Sequence, residues 1–149
     1  MNRFSFLRPV LVLLVAVGIL TLPDRASAKE RAHHSRGTAV LDFSTGNFVG
    51  AGNATHLGHY TEVGHVVISG DNPAALHLEG WAIYTAANGD TLCATFTGHL
   101  NFFTGAITAT LTYEGGCGRF DDASGSATLV GQFQADGTLA VTVEGTIDY

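Results

Sequence analysis

The stretch at residues 138–149, TLAVTVEGTIDY, decides the fold. Its odd positions carry Leu139, Val141, Val143, Gly145, Ile147 and Tyr149. Its even positions carry Thr138, Ala140, Thr142, Glu144, Thr146 and Asp148. Strand side chains alternate between two faces, so this pattern describes a strand with one apolar face and one mostly polar face. Working back along the chain, the same alternation recurs. Ala127, Leu129, Gly131 and Phe133 oppose Ser126, Thr128, Gln132 and Gln134, with Val130 the one apolar residue on the polar side. Ile107, Ala109, Leu111 and Tyr113 oppose Thr108, Thr110 and Thr112, and Leu92, Ala94 and Phe96 oppose Thr91, Cys93, Thr95 and Thr97. No window offers the i, i+3, i+4, i+7 apolar spacing of a helix.

Turn signals separate these runs. Asn88-Gly89 and Asp136-Gly137 suit hairpin turns, the first as a type I′ turn with two residues tolerant of positive φ. Thr45-Gly46-Asn47, Gly70-Asp71-Asn72-Pro73 and Asp122-Ala123-Ser124-Gly125 mark further turns. The reading predicts eight strands, at about 38–43, 47–57, 59–69, 75–87, 90–98, 105–114, 124–134 and 138–148. Eight short-linked strands make a sandwich or a closed barrel. Closure removes the edges that a chain with so little lysine cannot blunt, so an all-β, eight-stranded antiparallel barrel is expected.

The N-terminal part reads differently. Arg3 and Arg8 precede an apolar run at residues 10–20, interrupted only by Gly18, and Ala26-Ser27-Ala28 follows Pro23. That order is a secretory signal peptide over residues 1–28. The run is too short for the ~20 apolar residues of a membrane span. Residues 29–36, KERAHHSR, are polar and aperiodic, and are expected to be a flexible arm before a barrel domain at 37–149. After residue 28 four cations face twelve acidic residues, a formal charge of −8. With Arg119 the one Lys or Arg beyond Gly37, the chain lacks the basic footprint of nucleic-acid binding. The same balance disfavours anionic membrane surfaces. A secreted or periplasmic location follows from the signal peptide, with no membrane partner after its cleavage.

One segment carries a resemblance. Gly115-Gly116-Cys117-Gly118-Arg119-Phe120, followed by Asp122-Ala123-Ser124-Gly125-Ser126-Ala127, resembles the signature of the allene oxide cyclase/dirigent barrel superfamily. The chain also resembles a group of uncharacterised secreted bacterial proteins, through Ala54-Thr55-His56-Leu57-Gly58, Ala87-Asn88-Gly89-Asp90 and the Gly-Arg-Phe turn. The resemblance implies an eight-stranded antiparallel barrel with an apolar cavity, and a structural turn built by Gly116, Gly118, Arg119 and Phe120. The signature's Thr/Ser is Cys117 here, and no catalytic residue carries over.

Other constellations are sparse. His56, His59 and His65 cluster, as do His33 and His34, but no convergent Cys or carboxylate completes a metal site. Arg119 suits either a ligand carboxylate or a clamp onto Asp121, Asp122 or the carbonyls of its turn. Asp121-Asp122 lacks the spaced loop of a calcium site. Glu79 with Asp90, or Glu62 with Glu114, has no spacing that marks an acid/base pair, so these carboxylates are expected at the surface. Trp81, Phe48, Phe96, Phe102, Phe103 and Phe133 are expected in the core. No nucleophile elbow or phosphate loop occurs. Cys93 and Cys117, in an oxidising compartment, are expected to form a disulfide, closing a loop of about 25 residues and adding roughly 3 kcal/mol by the chain-entropy argument.

These observations lead to a small barrel that holds a small apolar molecule, with His56, Phe96, Leu111 and Phe133 as ligand contacts and no cofactor. A structural or interaction barrel with a filled core is the main alternative. A cyclase- or isomerase-type enzyme needs a placed polar group that the motifs do not supply.

Overall fold

A computed structural model describes residues 29–149. The eight strands are β1 (Arg31–Leu41), β2 (Asn47–Ala54), β3 (Gly58–Ser69), β4 (Leu76–Thr85), β5 (Thr91–Asn101), β6 (Ala106–Cys117), β7 (Ser124–Phe133) and β8 (Leu139–Asp148). Each pairs antiparallel with the next, and β8 pairs back onto β1 from Leu139 opposite Ala39 to Ile147 opposite Arg31. The result is a closed up-and-down barrel. The signal peptide expected at residues 1–28 lies outside the described residues.

The alternation read from the sequence sets inside and outside. Ile107, Ala109, Leu111 and Tyr113 are buried along β6, as are Val141, Val143 and Ile147 along β8. Outward threonines on the strands cover a polar exterior, as expected where β-branched residues meet water on a pleated surface. Two apolar clusters fill the interior. One surrounds Leu57, Leu92, Phe120 and Ile147, and the other surrounds Val66, Leu78, Leu100 and Ile107. Phe48, Phe96 and Leu129 pack against both.

Several expectations need correction. Residues 29–36 are not a flexible arm: β1 begins at Arg31, and its first half pairs with β8. The alternation there was hidden because the inward residues, His33 and Ser35, are themselves polar. Asn88-Gly89 is not a type I′ turn, because Gly89 alone has positive φ (90°) and Asn88 does not. Instead Gly89 N–H donates to the Ala86 carbonyl, and Ala86 N–H donates to the Asp90 carbonyl. That is a type I turn followed by a left-handed glycine. Gly137 (φ 86°) repeats the arrangement between β7 and β8.

β6 runs through the glycine-rich segment to Cys117 rather than stopping before it. The register shifts from Tyr113 opposite Ala94 to Gly116 opposite Leu92, so β6 carries one extra residue there. Gly115 takes a φ of 84° in this bulge. Cys117 consequently sits opposite Thr91, and Cys93 faces the bulge without a partner residue on β6. Both cysteines are free, so the expected disulfide is not formed. Trp81, Phe102 and Phe103 are also not core residues. Trp81 occupies an outward position beside His65, and the two phenylalanines lie at the β5–β6 turn, where Phe103 is 75% exposed.

Candidate functional site

The two ends of the barrel differ. At the end holding both described chain termini, Phe120 from the 3₁₀ turn (Gly118–Phe120) is fully buried beneath Tyr149, ring centroids 4.9 Å apart. Gly116, Gly118, Arg119 and Phe120, expected as a structural turn, lie at the end of β6 and in this 3₁₀ turn. Gly118 has a φ of 69°, and a Cβ on it would collide with the Asp90 carboxylate. Arg119 Nε lies 3.6 Å from Asp90 Oδ2, while its Nη2 donates to the His56 carbonyl. Arg119 therefore acts as a clamp, but onto the β2–β3 and β4–β5 turns rather than onto Asp121 or Asp122.

His56 belongs to this closed end. Its Nε2 is 2.8 Å from the Ala32 carbonyl, and its Nδ1 is 3.1 Å from the Tyr149 hydroxyl. A carbonyl can only accept, so Nε2 carries a proton and donates to it. Stacked on His56 lies His33, 3% exposed, whose Nδ1 has no hydrogen-bond partner. Burial, and then the neighbouring His56 and His34, push the His33 pKa down to about 4.

Beyond this plug lies a cavity of about 80 Å³. It is lined by apolar side chains from every strand, and reaches the strand ends at Leu41, Ile68, Phe133 and Leu139, which are only partly buried. The mouth therefore opens toward the β1–β2, β3–β4, β5–β6 and β7–β8 turns. Phe96 and Phe133, expected as ligand contacts, line this cavity. His56 and Leu111, expected with them, do not: His56 pins the closed end, and Leu111 is 1% exposed within the deeper cluster.

One polar side chain enters this apolar space. Glu62 on β3 points inward between Tyr60 and Val66, is 7% exposed, and lines the cavity. No protein group hydrogen-bonds its carboxyl among the described residues, and burial raises its pKa to about 7. Tyr60 on β3 and Tyr84 on β4 stand beside it. The Tyr60 hydroxyl is 2.9 Å from Ser35 Oγ, and the two tyrosine rings meet edge to face at 5.5 Å. Burial raises both tyrosine pKa values, with Glu62 adding to each.

Glycine on the neighbouring strand makes room for this group. A Cβ on Gly50 would run into the Glu62 carboxyl and the Thr38 carbonyl. The surface position expected for Glu62 is thus corrected, whereas Glu114, considered with it, is exposed and accepts a hydrogen bond from Thr95 Oγ1 at 2.9 Å. The signal that would have placed Glu62 is its parity. It shares a face with Tyr60, Val66 and Ile68, opposite His59, Thr61 and His65.

Among the described residues no group of three His, Cys, Asp or Glu side chains converges to hold a metal. Compared with known proteins, the chain matches no family model, no curated protein and no solved structure.

Proposed function

We propose that this is an exported binding barrel that holds a small, largely apolar molecule in the cavity beneath its open mouth. The observation that carries the reading is the cavity itself. About 80 Å³ of apolar space is maintained in a barrel whose other end is tightly plugged. Protein interiors are otherwise packed to near-crystalline density. The space is roughly half the ~150 Å³ apolar cavity known to take up benzene, so a ligand is small or extends into the mouth. Export and kinship with the allene oxide cyclase/dirigent-like barrels are parts of this proposal. They rest on the N-terminal pattern and on the glycine-rich turn. N-terminal sequencing of protein from its native host should find Lys29 first, and a start at Met1 would remove export from the account.

The binding test uses a hydrophobic dye. Its fluorescence on the folded protein should saturate, and a folded Phe96→Asp or Phe133→Asp variant should lose the signal. Unsaturable binding, or binding indifferent to both substitutions, would remove the cavity from the reading.

A second reading, an interaction barrel, has one observation in its favour. Val40, Val49 and Val63 are cross-strand partners on the outer wall and are each about half exposed, forming an apolar row over β1–β3. Concentration-dependent association in analytical ultracentrifugation, abolished by Val49→Lys, would support it.

A further inference from the structure

We infer that the cavity selects an apolar amine, whose ammonium pairs with Glu62 and whose hydrocarbon part lies along the apolar wall toward the mouth. The inference rests on the ligand-binding reading above and names the ligand's chemical class.

Glu62 is 93% removed from solvent by its surroundings, since only 7% of its surface is exposed. Its carboxyl opens into the cavity and accepts no hydrogen bond from the protein among the described residues. A buried carboxyl in that position is costly unless a partner satisfies it. The cavity wall contains no Lys, Arg or His, and its two hydroxyl donors, Tyr60 and the cross-strand neighbour Tyr84, make no hydrogen bond to Glu62. The Tyr60 hydroxyl is engaged with Ser35. What the site lacks is a donor, preferably a cationic one, and an alkylammonium brings a charge and three N–H groups on an apolar stem.

The remaining observations select against other amphiphiles. A carboxylate head would face Glu62 as a like charge, within a chain of formal net charge −6. An alcohol can hydrogen-bond the carboxyl but brings no charge. Val66, Leu78, Phe96, Ile107 and Leu129 give the stem an apolar lining. From Glu62 to the end of β3 the strand runs roughly 20 Å, so a chain of a few carbons fits between the carboxyl and the rim.

The groups facing Glu62 leave it as the titrating partner. Tyr60 on β3 and Tyr84 on β4 stay neutral, because burial raises both. Tyr113 on β6, one layer deeper, is raised by burial as well, and His33 on β1 is neutral above about 4. With Glu62 titrating near 7 and an alkylamine remaining protonated to about 10, the ion pair forms between these limits.

The test is calorimetric titration of the folded protein with n-hexylamine, n-hexanol and hexanoate. At pH 8 hexylamine should bind at least about tenfold more tightly than hexanol, with hexanoate weakest. Hexylamine affinity should rise about tenfold from pH 6 to pH 8, while hexanol affinity stays level. Glu62→Gln, nearly isosteric, should reduce hexylamine to the affinity of hexanol and leave hexanol within about twofold. Hexanol binding as tightly as hexylamine to the native protein would overturn the amine assignment and leave the apolar-ligand reading standing. Binding of neither would overturn both. The ranking on the native protein decides the matter even where the Glu62→Gln variant fails to fold.

Discussion

Between about pH 4 and 8, Glu62 and His33 are the two interior groups whose protonation differs from that of an unfolded chain, and they act in opposite directions. Glu62 keeps its proton in the folded protein up to about 7, against 4.5 ordinarily. Between those values the folded state binds more protons than the unfolded state, so this group makes stability fall as pH rises. His33 stays neutral in the folded protein down to about 4, against 6.5 ordinarily. Between those values the unfolded state binds more protons, so stability rises with pH. Each effect amounts to about 3 kcal/mol at full extent. The windows overlap from 4.5 to 6.5, where the slopes cancel, and the native protein should show a nearly level stability profile there. Urea denaturation across pH 4–8 checks this. Glu62→Gln should unmask a rise in stability from pH 4 to 6.5, and His33→Phe a fall from 4.5 to 7. A Glu62→Gln profile that keeps the native shape would show that Glu62 is not buried with its proton. Neither residue declared itself in the sequence by type. A glutamate in a threonine-rich chain and a histidine in KERAHHSR both read as solvated, and their neighbours' parity alone points them inward.

At the scale of the strand, the strongly alternating elements were legible and the polar ones were not. β6 and β8 each carry four apolar residues on one face, and their inward sides follow directly. The first half of β1 offers no such contrast, because His33, Ser35 and Gly37 occupy its inward positions. Gly37, Gly50 and Gly52 leave the space that Tyr60 and Glu62 of β3 cross into. Composition shows these glycines only as breakers: the first strand reads as beginning after Gly37, although β1 runs through it, whereas the second reads through Gly50 and Gly52. The disulfide fails on register, which sequence alone does not show: Cys117 lies opposite Thr91, and even without the extra residue at the Gly115 bulge the β5–β6 pairing would set Glu114, not Cys117, opposite Cys93. Gly50→Ala should therefore destabilise the protein by about 1–3 kcal/mol, the usual cost of overpacking. Part of that cost should disappear in a Glu62→Ala background, where the clashing carboxyl is gone while the Thr38 carbonyl remains. Equal costs in both backgrounds, measured by denaturant unfolding, would mean that Gly50 does not make room for Glu62.

The whole molecule is a barrel with unequal ends. One end is sealed by Phe120, Tyr149, His56 and the Arg119 clamp, and the other narrows into an apolar mouth without closing. Closure itself was foreseeable from eight short strands with few lysines at potential edges. Which end would be sealed was not, because it depends on a 3₁₀ turn that inserts Phe120 and on long-range contacts between Arg119 and His56. The exterior carries apolar valines too, so a hydrophobic ligand has two places to bind: the cavity and the outer row. Methyl-resolved NMR during titration with n-hexanol separates them and tests the central claim most directly. The account predicts saturable shifts at Val66, Ile107, Leu129 and Val141, which line the cavity, with Val40, Val49 and Val63 unmoved. Shifts confined to the outer valines, or no saturable shift at the inner methyls, would contradict it.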